Sequence, residues 1–290
     1  MILFFLYFYV IIFTGVIKLK IGIYQMNVMK NKKDTLEKLK NFFDQSFEEE
    51  TDFILLPEMF NCPYDNTYFR EYSENEKNGE TLKLLSELSA KYKTYIIGGS
   101  VPENDCGKIY NTSFVFDRNG KIIAKHRKIH LFDINIPEIR FMESDVLSPG
   151  NNITIFDTEF GKFGVIICYD IRFPELSRIM ALEGVKGIFV PAAFNTVTGP
   201  AHWDILFRSR AIDNQIFMFG ASPARDENFS YNAYGHSLIV NPWGKIIAEF
   251  DKKEQFGFFD INLDEINFYR EKMPYYNHRR TDIYNIKRTI

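Results

Sequence analysis

Cysteine is scarce in this chain: three in 290 residues, at Cys62, Cys106 and Cys168. An odd count at wide spacing excludes a disulfide framework. It fits a reducing compartment, cytoplasmic or mitochondrial, where a free thiol can be a nucleophile. An excess of one charge is missing too. The 35 Lys and Arg against 38 Asp and Glu leave a net charge of −3, so there is no electrostatic case for nucleic acid or another polyanion as a partner. No cysteine–histidine cluster has metal-ligand spacing, and no charge block or low-complexity stretch marks a domain boundary. What remains is an ordinary globular composition, 46% hydrophobic and 25% charged, with 29 Phe to fill a large core.

The first 17 residues, MILFFLYFYVIIFTGVI, carry no charge, and only Thr14 and Gly15 interrupt the apolar run. A secretory signal needs a basic start and a small-residue cleavage site, and neither is clear here. A membrane span needs roughly 17–25 apolar residues, so this run sits at the lower edge. Signal, anchor and dispensable extension all stay open, as does the address they would dictate; any membrane association would run through residues 1–17. Residues 18–290 read as one domain with a C-terminal tail.

Along that domain, strand-like and helix-like runs alternate. A strand is expected over 18–28 and a helix over 34–47, with Leu36, Leu39, Phe42, Phe43 and Phe47 at helical spacing behind an Asp34 cap. Short apolar strands follow at 53–56 and 94–97, on either side of a helix marked by Leu82, Leu85 and Leu88. Asn119-Gly120 joins strands at 110–116 and 121–131. The second half continues with strands at 153–156 and 163–168 and a helix over 174–183 with Pro174 in its first turn. Next come a strand at 187–190, a helix over 201–214, a strand at 215–220 and a hairpin of 237–241 with 245–250. Mixed βα units and hairpins predict one α/β domain, with sheets inside and helices outside.

Two residues close apolar strands, where working residues gather in open α/β sheets. Cys168 follows Val165-Ile166-Ile167 and precedes a helix, whose positive end would lower the thiol pKa. A buried structural cysteine fits that position equally well. Glu58 follows Phe53-Ile54-Leu55-Leu56-Pro57, where apolar neighbours would raise its pKa toward that of a general base. A surface glutamate is the commoner reading. Lys128 sits in a basic run, 125–130, that reads as a solvated strand face as readily as an anion site. His126 and His130, four apart on a strand, would stand roughly 13 Å from each other and so could not share a metal. Cys62 and Cys106 lie in polar loop stretches and read as bystanders. Gly220-Ala221-Ser222-Pro223-Ala224 resembles a serine-hydrolase elbow, but Pro223 has no N–H for the oxyanion and the second glycine is missing. Tyr169, after Cys168, does offer its N–H.

Leu56-Pro57-Glu58-Met59, then His126-Arg127-Lys128, then Ile167-Cys168-Tyr169-Asp170-Ile171-Arg172-Phe173-Pro174-Glu175 are similar to the three signatures of the nitrilase-like carbon–nitrogen hydrolase superfamily, in the family's order. The likeness runs from about residue 18 almost to the C-terminus. Within the superfamily the chain most resembles the omega-amidases. The run from Lys128 to Pro137, Phe141-Met142-Glu143-Ser144, the run from Phe194 to Trp203, Ala221 to Arg225, and Asn241-Pro242-Trp243-Gly244 carry that likeness. The chain is about one residue short between Pro137 and Glu143. That leaves the alignment of Glu138 and Glu143 open, with the flanking residues favouring Glu143.

The resemblance implies a four-layer αββα sandwich with mixed sheets, a homodimer and no metal or organic cofactor. It implies hydrolysis of the terminal amide of α-ketoglutaramate or α-ketosuccinamate through a thioester on Cys168, with Glu58 as base and Lys128 as oxyanion partner. Glu143 and Tyr169 would support them. Arg172, with Phe194 and His202, would meet the substrate carboxylate, although for Arg172 a structural ion pair fits as well. An amidase for deaminated glutathione, a nitrilase or carbamoylase, and a membrane-tethered binding protein without activity are the rival readings.

Overall fold

The computed structural model describes residues 17–228 and 231–289. The first half runs β1 (Lys18–Gln25), α1 (Lys32–Ser46), β2 (Phe53–Leu55), α2 (Asn66–Phe69), α3 (Glu80–Tyr92), β3 (Tyr95–Ile97), β4 (Val101–Asp105), β5 (Lys108–Phe116), β6 (Ile122–Arg127), β7 (Asp133–Ile136) and β8 (Ile139–Met142). The second half runs β9 (Thr154–Thr158), β10 (Gly161–Val165), α4 (Pro174–Leu182), β11 (Gly187–Pro191), α5 (Gly199–Asn214), β12 (Phe217–Ala221), β13 (Leu238–Val240), β14 (Ile246–Glu249), β15 (Gln255–Asn262) and α6 (Asp264–Lys272).

These strands build two large mixed sheets. One has the order β15-β1-β2-β3-β5-β4, with β6 added to β5; the other has the order β14-β13-β12-β11-β10-β9. Period-2 alternation decides what each face carries. Leu19, Ile21 and Ile23 of β1, with Phe53 and Leu55 of β2, meet Phe163, Val165, Phe189 and Phe219 of the second sheet in a shared inner core. The opposite face of the first sheet, with Ile54, Ile96 and Phe114, packs under Leu39, Phe43, Leu82 and Leu85 of α1 and α3. On the second sheet, Ile188, Val190, Met218 and Leu238 pack under Met180, Trp203 and Phe207 of α4 and α5. The result is helix, sheet, sheet, helix: the four-layer α/β architecture that the sequence predicted.

Several boundaries differ from expectation. β1 stops at Gln25 rather than at 28. The strand expected over 121–131 ends at Arg127, and the chain turns away at Lys128. The strand expected to end at Cys168 ends at Val165, and Cys168–Arg172 form a 3-10 turn before α4 begins. Strands β4, β7, β8 and β15 and helices α2 and α6 were not expected. The β7–β8 hairpin pairs only with itself. β4 pairs with β5. β15 pairs antiparallel with β1 from Lys18↔Asn262 to Gln25↔Gln255, which places the C-terminal strand beside the N-terminal one. Among the described residues no helix is long and apolar enough to cross a membrane. Of the apolar leader, only Ile17 belongs to the described residues; 1–16 lie outside them.

The parallel strands β1, β2 and β3, and likewise β10, β11 and β12, send their carboxyl ends into connecting loops. The loop after β2 is clasped by the one after β3. Ser100 N–H donates to the Pro57 carbonyl at 3.1 Å, and the Met59 N–H donates to Ser100 Oγ at 3.0 Å. Both loops are bent hard: Met59 has φ 49° and Gly99 φ 52°. A Cβ on Gly99 would lie 2.1 Å from the Pro57 carbonyl oxygen. Gly99→Ala is therefore expected to lower stability by about 2 kcal/mol or more. Gly184→Ala, also at positive φ but with nothing within 4 Å of the added carbon, should cost only about 1 kcal/mol. Urea unfolding of the two variants measures the difference; equal costs would show that the clasp tolerates a side chain.

Candidate active site

The loops after β2, β6 and β10 bring Glu58, Lys128 and Cys168 together. Glu143 joins them from the short 3-10 turn after β8. Glu58, Lys128 and Glu143 are fully buried, and Cys168 nearly so. Lys128 Nζ lies 2.9 Å from Glu58 Oε1, and 3.0 and 2.9 Å from Glu143 Oε1 and Oε2. The Cys168 thiol faces Glu58, and the Ala193 N–H points at the sulfur. Cys168 has φ 45°, an uncommon backbone state for a residue with a side chain, and it holds the thiol at the head of the 3-10 turn. Glu138 is exposed in the β7–β8 turn, so the buried partner of Lys128 is Glu143.

Two residues that sequence reasoning passed over complete the ring. Tyr64 O–H donates to Glu143 Oε1 at 2.7 Å and reaches Glu58 Oε1 at 3.3 Å. Asn111 Nδ2 donates to Glu58 Oε1 at 2.8 Å, and its carbonyl accepts from the Lys128 N–H at 2.8 Å. Nothing local in the sequence marks either residue; both are identified by what they touch. Tyr64 stacks on Tyr231, ring centroids 4.4 Å apart, and Tyr231 O–H donates to the Ala193 carbonyl at 2.5 Å. Both tyrosines line, with Glu58, Ala193 and Cys62, a small pocket beside the ring. Cys62, read from sequence as a loop bystander, is buried, with Met59, Phe69, Ile109 and Leu147 around it; Cys106 is exposed.

The electrostatics of the ring follow from burial. Burial pulls the Lys128 ammonium toward neutrality, but the Glu143 and Glu58 carboxylates outweigh it and hold the proton on firmly. Burial raises Glu58 above the usual carboxylate range against the pull of Lys128, and the Glu143 charge raises it further. Burial also raises the Cys168 thiol well above its ordinary value, and the Glu58 charge adds to that. The expectation that a helix end would lower this thiol pKa is overturned: Cys168 opens a single 3-10 turn, not an α-helix, and desolvation beside a carboxylate dominates. Burial thus favours the neutral form of the thiol and of the carboxyl that faces it.

Arg172, Phe194 and His202 form a second group. The Arg172 guanidinium lies 5.0 Å over the Phe194 ring and 5.5 Å over that of Tyr169, and its Nη1 is 3.2 Å from His202 Nδ1. Arg172 Nε is buried without a hydrogen-bond partner, and no carboxylate lies within ion-pair distance of this arginine among the described residues. The structural ion pair that was open for Arg172 is therefore not formed.

His126 and His130 also depart from expectation. The chain turns at Lys128, so the two imidazoles converge instead of standing apart along a strand. His126 Nε2 and His130 Nδ1 lie 3.0 and 2.9 Å from the two oxygens of buried Asp170, which also accepts from the backbone N–H groups of His130 and Ile167. Burial raises the Asp170 carboxyl, but these donors overcome it and hold the pKa well below the ordinary value. Asp170 thus ties the segment after Lys128 to the turn that carries Cys168. Asp170→Asn should cost about 3–5 kcal/mol, as removal of one charge from a buried hydrogen-bonded cluster does. Chemical denaturation at pH 7 measures this. A loss under about 1 kcal/mol would mean that the carboxylate charge is not what joins the two segments.

Residues 20–271 match the carbon–nitrogen hydrolase family. Omega-amidase NIT2-A of Xenopus laevis is 47% identical over 271 residues, covering 93% of this chain and 98% of the relative. Omega-amidase NIT3 of Saccharomyces cerevisiae is 45% identical, covering 92% and 95%. The crystal structure of yeast Nit3, described as a member of branch 10 of the nitrilase superfamily, superposes with a TM-score of 0.82 at 42% identity, covering 91% of this chain and 97% of Nit3. The Caenorhabditis elegans NitFhit protein superposes at 0.84 with 30% identity, over 93% of this chain and 66% of NitFhit. With its four layers, its buried carboxylate–ammonium ring and these likenesses, the chain belongs to the carbon–nitrogen hydrolase family.

Proposed function

We propose that this protein is an omega-amidase. It would hydrolyse the terminal amide of small 2-oxo acid amides, α-ketoglutaramate and α-ketosuccinamate, to the 2-oxo dicarboxylate and ammonia, with residues 18–290 acting as one hydrolase domain. The observation that carries the reading is the buried ring of Glu58, Lys128 and Glu143 set against the Cys168 thiol. The relatives named omega-amidase support the substrate class.

An unactivated amide is a poor electrophile, so the attacking group has to be a thiolate and the developing oxyanion has to be held. Glu58 takes the thiol proton from Cys168 as the sulfur bonds to the amide carbon. Lys128 and the Tyr169 N–H hold the oxyanion, an interaction worth about 3–4 kcal/mol per donor in comparable sites. The tetrahedral intermediate collapses, the C–N bond breaks, and Glu58 returns its proton to the departing ammonia. Water, deprotonated by Glu58, attacks the thioester; the C–S bond breaks and the thiol is restored. Glu143 keeps the Lys128 ammonium aimed. The raised thiol pKa suits this order, because the thiolate forms only as the base takes the proton.

Arg172, free of any carboxylate, with Phe194 and His202 beside it, serves the substrate carboxylate in this reading. The family resemblance also carries a homodimer, and Ile205 and Ile212, exposed on α5, offer apolar surface for one.

Turnover of α-ketoglutaramate, measured beside deaminated glutathione, tests the substrate assignment; a preference for the latter would replace it. Cys168→Ala should lower kcat at least about a thousandfold, while Cys62→Ala and Cys106→Ala keep most of it. A thioester adduct should appear on Cys168 by mass spectrometry, and substantial turnover by the Cys168 variant would end the mechanism. For the carboxylate, Arg172→Met should lose about 2–5 kcal/mol of kcat/KM on the anionic substrate and little on a neutral amide. Arg172→Lys should fall between, since an ammonium cannot supply the planar two-bond fork. Equal losses on charged and neutral amides would make Arg172 structural.

A further inference from the structure

The two oxygens of Glu58 are not equivalent. Oε1 accepts from Asn111 Nδ2 at 2.8 Å and Lys128 Nζ at 2.9 Å, and the Tyr64 hydroxyl, whose proton goes to Glu143, stands 3.3 Å away. Oε2 is buried and has no hydrogen-bond partner among the described residues. A carboxylate has about four lone-pair sites over its two oxygens, so both donors go to one oxygen and leave the other bare. A bare buried carboxylate oxygen is costly unless something arrives to use it. The Cys168 thiol faces this carboxyl.

Of the groups around Oε1, Asn111 is the one that can fix the orientation. Lys128 divides its ammonium between Glu58 and both oxygens of Glu143, and Tyr64 makes its shorter bond to Glu143. Asn111 gives its amide to Glu58 alone. It stands on β5, which pairs with β3, β4 and β6, and its carbonyl holds the Lys128 backbone. A planar amide on a strand paired on both sides is a rigid support for a reacting group.

We propose that Asn111 is a positioning residue for the base: it locks Glu58 Oε1, so that Oε2 is the atom that exchanges the proton with Cys168. The assignment rests on Glu58 as base and Cys168 as nucleophile. Its chemical consequence has a definite sign. Charged or titratable groups facing Glu58 are Lys128, Glu143, Cys168, Tyr64 and Tyr231. Burial already holds the Glu58 pKa above the usual range. Removing the Asn111 donor takes support from the ionised form and raises it further. A carboxylate in place of the amide raises it more, through like-charge repulsion.

The test is alkylation of Cys168 by iodoacetamide across pH, with the modified cysteine mapped by mass spectrometry. Kinetics of amide turnover and thermal unfolding are followed on the same proteins. In the wild type the rate should rise through an acid limb set by Glu58. In Asn111→Ala that limb should move up by about one pH unit, and the rate at pH 7 and kcat should both fall by about tenfold or more, with KM within about threefold. Asn111→Asp, which keeps the side-chain shape and so guards against a packing loss, should move the limb further in the same direction. A folded variant whose limb stays at the wild-type pH, or whose rate falls equally at every pH, overturns the role of Asn111. Wild-type protein alkylated at Cys62 or Cys106 and not at Cys168 removes the nucleophile itself, and the inference with it.

Discussion

The site depends on one buried ammonium. Lys128 has no exposure to water, and a lone charge there would cost more than the fold can supply. Glu143 on one side and Glu58 on the other make its burial tolerable. Every other feature of the site serves to keep that arrangement. Tyr64 and Asn111 each donate to a carboxylate of the ring, the turn after β6 aims the lysine inward, and the 3-10 turn after β8 delivers Glu143. Removing the Lys128 charge would leave two carboxylates uncompensated in a dry interior.

That constraint also explains the protonation of the resting site. Burial above all raises both the Glu58 carboxyl and the neighbouring thiol, with the Glu143 charge adding to the first and the Glu58 charge to the second. A site built this way does not store a thiolate. Beside Glu58 lies a pocket whose aromatic walls, Tyr64 and Tyr231, are themselves held by the ring and by the Ala193 carbonyl. Asp170 does for the backbone what Lys128 does for the side chains: one buried carboxylate collects two imidazoles and two N–H groups, and so ties the strand end before Cys168 to the bend after Lys128.

Much of this architecture could be read locally. The fully apolar run at 53–55 reports a strand buried on both faces, and the helical spacing of Leu36, Leu39, Phe42 and Phe43 reports burial on one face; neighbouring residues decide both. β15 escaped because its partner is β1, on the far side of the sequence. The β7–β8 hairpin escaped although Asp133-Ile134-Asn135-Ile136 alternates, because each strand is only four residues long and pairs with nothing but the other. The strand after Asn119-Gly120 ran long in the sequence reading because nothing local announces the bend at Lys128.

The sequence by itself determined the chemistry available: a thiol and a carboxylate at strand ends, a lysine between them, and the short runs around each that mark the family. It could not determine how those groups stand to one another. Glu58 meets Asn111 across 53 residues and Lys128 across 70, and no periodicity spans such distances. Only the tertiary structure decided that Glu143 and not Glu138 balances the lysine, that His126 and His130 share one carboxylate, that the thiol rests protonated, and that one oxygen of Glu58 is left free. Each of these depends on desolvation and on the direction of a few hydrogen bonds, which exist only once the two sheets have closed over the site.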